Sequence, residues 1–294
     1  MNLPWHHILC GVFLLSTVSS REQVVPGNPQ SAPSGKSPIQ VFLTASDKHR
    51  SPTSPTQSEL SVTVDKQPVQ INALRSVKND PLLFAVLVDR SGSDAKSAGL
   101  IRTAALRLFQ TLSTDGNRGY LVLFNDSVVI STGPVQTSEA QALLNAAQFG
   151  GGTAVYDAIL RTCIEKISRS ANPEFPRRAI LLISDGDDNA SHVTHAAAEE
   201  ALEREGVALF SLMVGSPPEP NEKFLKEVSR DTGGEAIRAK NLVDGPALLL
   251  AAIAGQWVLS FVPAQPLDHA LHSLGIKSLQ KDLRVSAPAR IFVQ

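Results

Sequence analysis

The chain has 294 residues, 43% hydrophobic and 19% charged, a globular composition long enough for one large or two smaller domains. Lys+Arg 27 against Asp+Glu 28 leaves a formal net charge of -1, and with no long basic run the charge balance does not point to nucleic acid. Two cysteines, Cys10 and Cys163, provide no disulfide framework.

Met1–Ser20 combines an apolar run, Ile8–Val18, with the small residues Ser16, Ser19 and Ser20, the shape of a secretory signal peptide cleaved near Ser20. His6 and His7 stand where Lys or Arg is usual, and the run is shorter than the ~20 residues a bilayer requires. The expectation is a secreted or periplasmic mature chain, with a retained N-terminal membrane anchor as the alternative. Residues 21–38 are rich in Pro, Ser, Gly and Gln and read as a flexible linker. From 39 to 79 the chain reads as a small β module: IQVFLT (Ile39–Thr44) and LSVTV (Leu60–Val64) alternate, Asp65–Pro68 is a turn, and Val69–Val77 continues as a further strand-like run. Three short strands bury little area by themselves, so this module is expected to pack on the main domain.

The main domain, 80–255, begins with LLFAVLVDRSGS (Leu82–Ser93). A short, continuous apolar run ending at a charge reads as a buried strand. Asp89, Ser91 and Ser93 then bring one carboxylate and two hydroxyls to a tight turn, with Gly92 supplying backbone freedom. Ala95–Leu112 follows with helical spacing, Ile101, Ala105 and Leu108 sharing a face. Oxygen donors at the carboxyl end of a strand suit a hard cation such as Mg²⁺. Capping of the following helix is the plainer reading of these residues taken alone. Asp94 reads as a cap or as a charge near the cation, and the cap is favoured. Gly119–Phe124 and Ser127–Ser131, joined through Asn125-Asp126, imply an antiparallel edge pair. Thr137–Gln148 is helical. Thr153 closes the Gly-rich loop Gly150–Gly152 ahead of another helix. There Asp157 reads as a ligand or a helix-start charge, and Cys163 as a small buried hydrophobe. Arg177-Arg178 reads as a solvated edge before the strand Ala179–Ile183, and Ser184–Asn189 is the acidic loop that carries Asp185; Asp187 and Asp188 fit loop solvation or a supporting role. The loop lacks the Gly and closing Glu offsets of an EF-hand. His192 and His195 make an H-x-x-H pair, but no closed set of N and S donors accompanies them for zinc. The rest alternates: a helix over 196–205, the strand Val207–Val214, a short helix over 224–230, a strand at 235–239 and a final helix over 241–254. Alternation of this kind predicts a doubly wound, mostly parallel α/β sheet with one antiparallel edge strand.

The D-x-S-x-S turn, the downstream Thr153 and Asp185 after a second buried strand resemble the metal-ion-dependent adhesion site of von Willebrand factor type A domains. The likeness runs over roughly Pro81–Gly255, and secreted bacterial proteins with this domain share the preceding strand module. In such proteins the C-terminal segment, here 256–294 with WVLSFV (Trp257–Val262) and Leu283–Val293, forms a β tail, expected to join the first module in one small β unit. The resemblance implies a metal site of Asp89, Ser91, Ser93, Thr153 and Asp185, with the three hydroxyls bound directly to Mg²⁺ (Mn²⁺ or Ca²⁺ possible) and both carboxylates acting through water. It implies a non-enzymatic module that presents the cation to an Asp or Glu of a partner protein, and a possible shift of the final helix on engagement. Two alternatives stand beside it. A metal-dependent hydrolase needs a general base, for which only Asp187 or His192 offers itself, and no G-x-S-x-G or H-E-x-x-H motif is present. A purely structural metal site is the other.

Overall fold

The computed structural model describes residues 38–114, 116–215, 222–238 and 242–293. The signal peptide and all of the linker but Pro38 lie outside the described residues. The chain opens with β1 (Ile39–Ser46), β2 (Leu60–Val64), β3 (Gln67–Val69) and β4 (Ile71–Ser76). Next come β5 (Leu82–Asp89), a 3-10 turn (Ser93–Ser97) running into α1 (Ala98–Leu112), β6 (Arg118–Phe124), β7 (Val128–Ile130), α2 (Thr137–Ala146) and α3 (Val155–Glu165). They are followed by β8 (Arg177–Ser184), α4 (His195–Glu205), β9 (Ala208–Met213), α5 (Glu222–Asp231), β10 (Ala236–Ile237) and α6 (Gly245–Ala254). The last strands are β11 (Gln256–Phe261), β12 (Leu271–Ser278), β13 (Arg284–Ser286) and β14 (Arg290–Phe292). No helix among the described residues is long and apolar enough to cross a membrane.

The central sheet has the order β10-β9-β8-β5-β6-β7, parallel throughout except for β7, which runs antiparallel to β6 at the edge. Helices cover both faces, so the inner strands are apolar on both sides and read as continuous hydrophobic runs. All eight residues of β5 are buried. Because successive side chains alternate faces, Leu82, Phe84, Val86 and Val88 enter one core with α1 and α6, while Leu83, Ala85 and Leu87 enter a second with α3 and α4. Cys163 lies in the second core, its thiol pushed up by burial, in keeping with a packing role. From β5 the chain moves to β6 and β7 on one side and returns to β8 on the other. The strand order therefore reverses beside β5, and the crevice beyond the carboxyl ends of β5 and β8 is where open α/β sheets collect ligands.

Two further sheets, β13-β1-β11-β4 and β14-β12-β2-β3, combine strands from both ends of the chain. They share one core: Val41, Leu43, Leu259 and Phe261 from the first meet Leu60, Val62, Val64, Leu274 and Ile291 from the second. The expected union of both ends is present, but it is an eight-stranded sandwich with its own core. Two sequence-based strands also break. Val69–Val77 divides at Gln70 into β3 and β4, and Leu283–Val293 divides around Pro288 into β13 and β14, each break carrying the chain from one sheet to the other. The β2–β3 turn uses Asp65 and Lys66, both at positive φ, the conformation a two-residue hairpin requires. The sandwich is tied to the α/β sheet: Thr44 Oγ1 donates to Gly233 O (2.8 Å) and Ala289 N to Asp231 O (2.7 Å). Arg290 forks onto Glu203 of α4, Nε to Oε1 at 2.8 Å.

Arg177 and Arg178 correct the sequence reading. They are the first residues of β8, 4% and 6% exposed rather than solvated. Arg177 donates to Gln256 Oε1 (2.9 Å), Val77 O (3.1 Å) and Asp80 O (3.4 Å), and to Ile253 O (2.6 Å). One guanidinium thus joins β8, β11, the end of α6 and the segment entering β5. Burial lowers the pKa of each arginine to about 10.

Candidate metal centre

The polar crevice is built from three loops. Asp89 is the last residue of β5, Asp185 follows Ser184 at the end of β8, and the 3-10 turn after β5 brings in Asp94; they are 0%, 7% and 3% exposed. One carboxylate oxygen from each lies within 4.8 Å of the others. Asp94 corrects the cap reading: Gly92 occupies the cap position of the 3-10 turn, and the turn carries Asp94 into the acidic cluster.

Hydrogen bonds fix the cluster. Asp89 Oδ1 accepts from Ser91 N (2.9 Å) and Oδ2 from Ser184 Oγ (2.6 Å), and Ser184 Oγ in turn accepts from Gly186 N (2.9 Å). Asp185 Oδ1 accepts from Asp187 N (3.0 Å). Burial is the main force on Asp89. Hydrogen bonds from Ser184 and Ser91 pull its pKa down and the Asp185 charge pushes it up, and the balance lifts it to about 6. Ser91 is buried and its Oγ lies 3.0 Å from Oγ of Ser93, an exposed residue. The D-x-S-x-S turn meets the Gly-rich loop through Gly92 N to Gly151 O (3.1 Å) and Gly150 N to Arg90 O (2.8 Å). Gly151 has φ +82, and a Cβ there would come within 2.8 Å of Asp126 Oδ2, so the loop requires glycine. Thr153 is buried on this loop; its N–H donates to Asn189 Oδ1 (2.9 Å) and its carbonyl accepts from Asn189 N and Ala190 N, both at 3.0 Å. The structure thus joins Asp89, Asp94 and Asp185 in one cluster, pairs the two serine hydroxyls, and links Thr153 to the acidic loop through Asn189.

One supporting group escaped the sequence reading, and two that it left open find their roles here. Asn125, read only as a hairpin residue, donates Nδ2 to Gly150 O (2.8 Å) and accepts from Ala154 N (2.7 Å), bracing both ends of the Gly-rich loop. Asp188 Oδ2 accepts from Tyr156 N (3.1 Å) at the start of α3 and from Ser191 Oγ (2.7 Å). Asp157 clamps the far end of the acidic loop. It accepts from His192 N (3.0 Å) and Val193 N (3.1 Å), and its Oδ2 lies 2.9 Å from His192 Nδ1. Burial alone would raise Asp157, but these bonds hold it below the usual carboxylate range. His195 instead meets Tyr156 and Phe224 edge-on, with ring centroids 6.2 Å and 6.0 Å away. The two histidines therefore serve different neighbours.

Three buried carboxylates crowded together repel one another, and a divalent cation is the counter-charge that relieves such crowding. Carboxylate and hydroxyl donors suit hard cations, so the chemistry of the donors gathered here fits a divalent ion.

Residues 58–236 match the family model for VWA domain containing CoxE-like protein. The chain belongs to this family. Among solved structures it is similar to a von Willebrand factor type A protein from Catenulispora acidiphila, at 12% identity and a TM-score of 0.52, covering 90% of this chain and 76% of that one. It is also similar to proximal thread matrix protein 1 from the mussel byssus, solved with a zinc-occupied MIDAS motif, at 15% identity and a TM-score of 0.51, covering 66% of this chain and 50% of that one. The present chain spans about half the length of the mussel protein. No curated protein matches it by sequence. At these identities the likeness is one of fold, and the central α/β domain has the type A architecture.

Proposed function

We propose that Asp89, Ser91, Ser93, Thr153 and Asp185, joined by Asp94, hold a divalent cation, Mg²⁺ first and Mn²⁺ or Ca²⁺ as alternatives, and that the domain uses this site to bind an Asp or Glu of a partner protein. The observation that carries the reading is the convergence of three buried carboxylates at the sheet's switch point, beside a paired Ser91–Ser93. A divalent ion held there supplies a Lewis-acidic position for a carboxylate oxygen. The chain's own part is to keep the donors in place. Ser184 and the Ser91 amide orient Asp89, and Asn189 and Asn125 position the Thr153 loop. A zinc-occupied site of the same type in the mussel protein supports the assignment. Type A domains generally serve as interaction modules, and the two conceivable bases of the hydrolase reading serve the loop instead: Asp187 Oδ1 accepts from Asp188 N, and His192 is engaged by Asp157. Secretion through the expected leader is part of the proposal, and N-terminal sequencing of the mature protein tests it.

Asp94 favours a second reading. A third carboxylate in the cluster can close the position that a partner would need, leaving an ion that only braces the loops.

Calorimetric titration of Mg²⁺ and Mn²⁺ into the wild-type chain, Asp89→Ala and Thr153→Ala tests the site. Uptake of about one ion per wild-type chain, lost in both folded variants, is expected; a folded wild-type chain that takes up no ion overturns the proposal. A second titration with an acidic peptide then separates the readings, since a bracing ion leaves the peptide unbound.

A further inference from the structure

At the opposite end of the sheet from the carboxylates, a cavity of about 390 Å³ opens at the seam between the type A domain and the sandwich. Its volume lies within the range of small-ligand pockets, at its lower end. Its walls are more apolar than polar: Leu202 and Val207 from the α4–β9 corner and Ile291 and Phe292 of β14 line it, together with Glu203, which is held by Arg290. Arg169, Arg178 and Arg290 also line it. Arg290 is already satisfied by its fork onto Glu203. The other two are not.

Arg178 donates Nη2 to Asn172 O (2.9 Å) and Nη1 to Pro176 O (3.3 Å), but its Nε is buried without any partner. Leaving a buried donor unpaired costs about 1–3 kcal/mol, more on a charged group. Arg169 spends Nε on Glu205 O (3.0 Å), and its guanidinium lies against Gly206; its terminal nitrogens make no hydrogen bond to the described residues. The two guanidinia are also close enough to repel: after burial, Arg169 is the largest influence lowering the Arg178 pKa, with Glu205 and Glu174 offsetting part of it. Two like charges with spare planar donors, beside an apolar chamber, match a carboxylate head and a hydrocarbon body.

We propose that this cavity is a second ligand site, taking a medium-sized amphipathic carboxylate whose head is held by Arg169 and Arg178 and whose body lies between Leu202, Val207, Ile291 and Phe292. The site is independent of the metal centre and joins the two halves of the molecule, so occupancy clamps β14 against α4.

The test is titration of the full chain in EDTA with octanoate, octyl phosphate and inorganic phosphate, followed by calorimetry and thermal unfolding. Saturable binding of about one octanoate per chain with a raised Tm is expected. Affinity should fall about tenfold or more in Arg169→Met and in Arg178→Met, the loss of charge-assisted hydrogen bonds. Arg178 is buried, so if its variant fails to fold by circular dichroism, Arg169→Met alone carries the test. No octanoate binding by the folded wild-type chain, or unchanged affinity in folded Arg169→Met, overturns the site. Inorganic phosphate binding as tightly as octanoate overturns the apolar part of the assignment, and tighter binding of octyl phosphate overturns the carboxylate.

Discussion

Strand β8 carries buried charge at both ends, and the ends solve the same problem in opposite ways. At its start, Arg177 meets four oxygen acceptors, none of them a carboxylate, contributed by residues 76 to 100 positions away in the chain. At its finish, Ser184 and Asp185 help gather three buried carboxylates in one crevice. Arg177 is completed within the protein: dipolar oxygens surround its guanidinium, and the result is a joint between the type A domain and the sandwich. The negative end places like charge beside like charge. Buried charge answered by the chain's own dipoles is architecture. Buried charge gathered with its own sign calls for something from outside.

The largest effect should come from breaking the complete end. Arg177→Met leaves Gln256 Oε1 and three carbonyls without their donor and is expected to destabilise the protein by about 3 kcal/mol or more, read as a lowered urea midpoint. Metal uptake by the folded fraction should be unchanged, since the residue lies at the far end of the strand. A loss under about 1 kcal/mol would show that the joint is not carried by this side chain.

The incomplete end should respond with the opposite sign. Asp89 has a pKa of about 6 in the fold against an ordinary value of 3.8, so the folded state binds more protons than the unfolded state between those values. Its ionised form therefore opposes folding: stability in EDTA should rise as pH falls through about 6 and level off below about 4. Asp89→Asn removes that charge, and at pH 7 without metal it is expected to be more stable than wild type by about 2–3 kcal/mol, since each pH unit separating the folded and unfolded values is worth ~1.4 kcal/mol. The advantage should vanish near pH 4, and Mg²⁺ should restore the wild type while leaving the variant unmoved. An Asp89→Asn protein less stable than wild type in EDTA at pH 7 would contradict the account of an unsatisfied site.

How far the two ends were legible in sequence follows the same division. The alternating strands and helices could be read because β5 and β8 are covered on both faces, which writes a continuous apolar run. Asp89 and Asp185 were legible because each ends such a run. Asp94 was not, because an Asp just after a serine turn is an ordinary cap candidate and only the 3-10 geometry carries it inward. Arg177 and Arg178 were misread because two adjacent charges usually mark an edge; their burial depends on acceptors scattered along the chain. Strand β12 left little trace, as LHSLGIKS buries only Leu274 fully and alternates weakly. Val69–Val77 and Leu283–Val293 looked continuous because a strand that crosses between sheets keeps its β-forming residues through the break.

Asp94 offers a smaller and sharper probe of the negative end. Asp94→Ala removes one of three carboxylates and is expected to weaken Mg²⁺ affinity about tenfold, the order of a missing supporting charge near a metal. Peptide binding by the same variant separates the two roles open to Asp94. If Asp94 supports an open site, the variant saturated with Mg²⁺ binds an acidic peptide as wild type does. If it closes the site, peptide binding appears only in the variant, and the bracing reading is the correct one.

The smallest effect lies in the sandwich, where His272, its side chain 11% exposed, sits between half-exposed Asp65 and exposed Asp268. His272 Nδ1 lies 2.8 Å from Asp65 Oδ2, and the Ser273 amide donates to Asp65 Oδ1 at 3.0 Å, holding β12 to the β2–β3 hairpin. The His272 pKa is raised, first by its hydrogen bond with Asp65, and Asp65 is lowered by the same bond. A histidine raised in the fold contributes stability that is fully present below its unfolded value near 6.5 and is lost as pH rises through the folded value. Asp65 works at the other limit, its contribution present above about 4 and lost as pH falls below it. His272→Gln should therefore cost less than about 1 kcal/mol near pH 6, as a screened surface pair does, and still less at pH 9. The slope has the same sign as that of Asp89→Asn, because both folded pKa values are raised; what differs is the sign of the effect, a cost that shrinks with pH in one variant and a gain that grows with pH in the other. Thermal unfolding of both variants across pH 4 to 9 makes the comparison direct: a complete pair costs stability when it is cut, and a crowded one returns it.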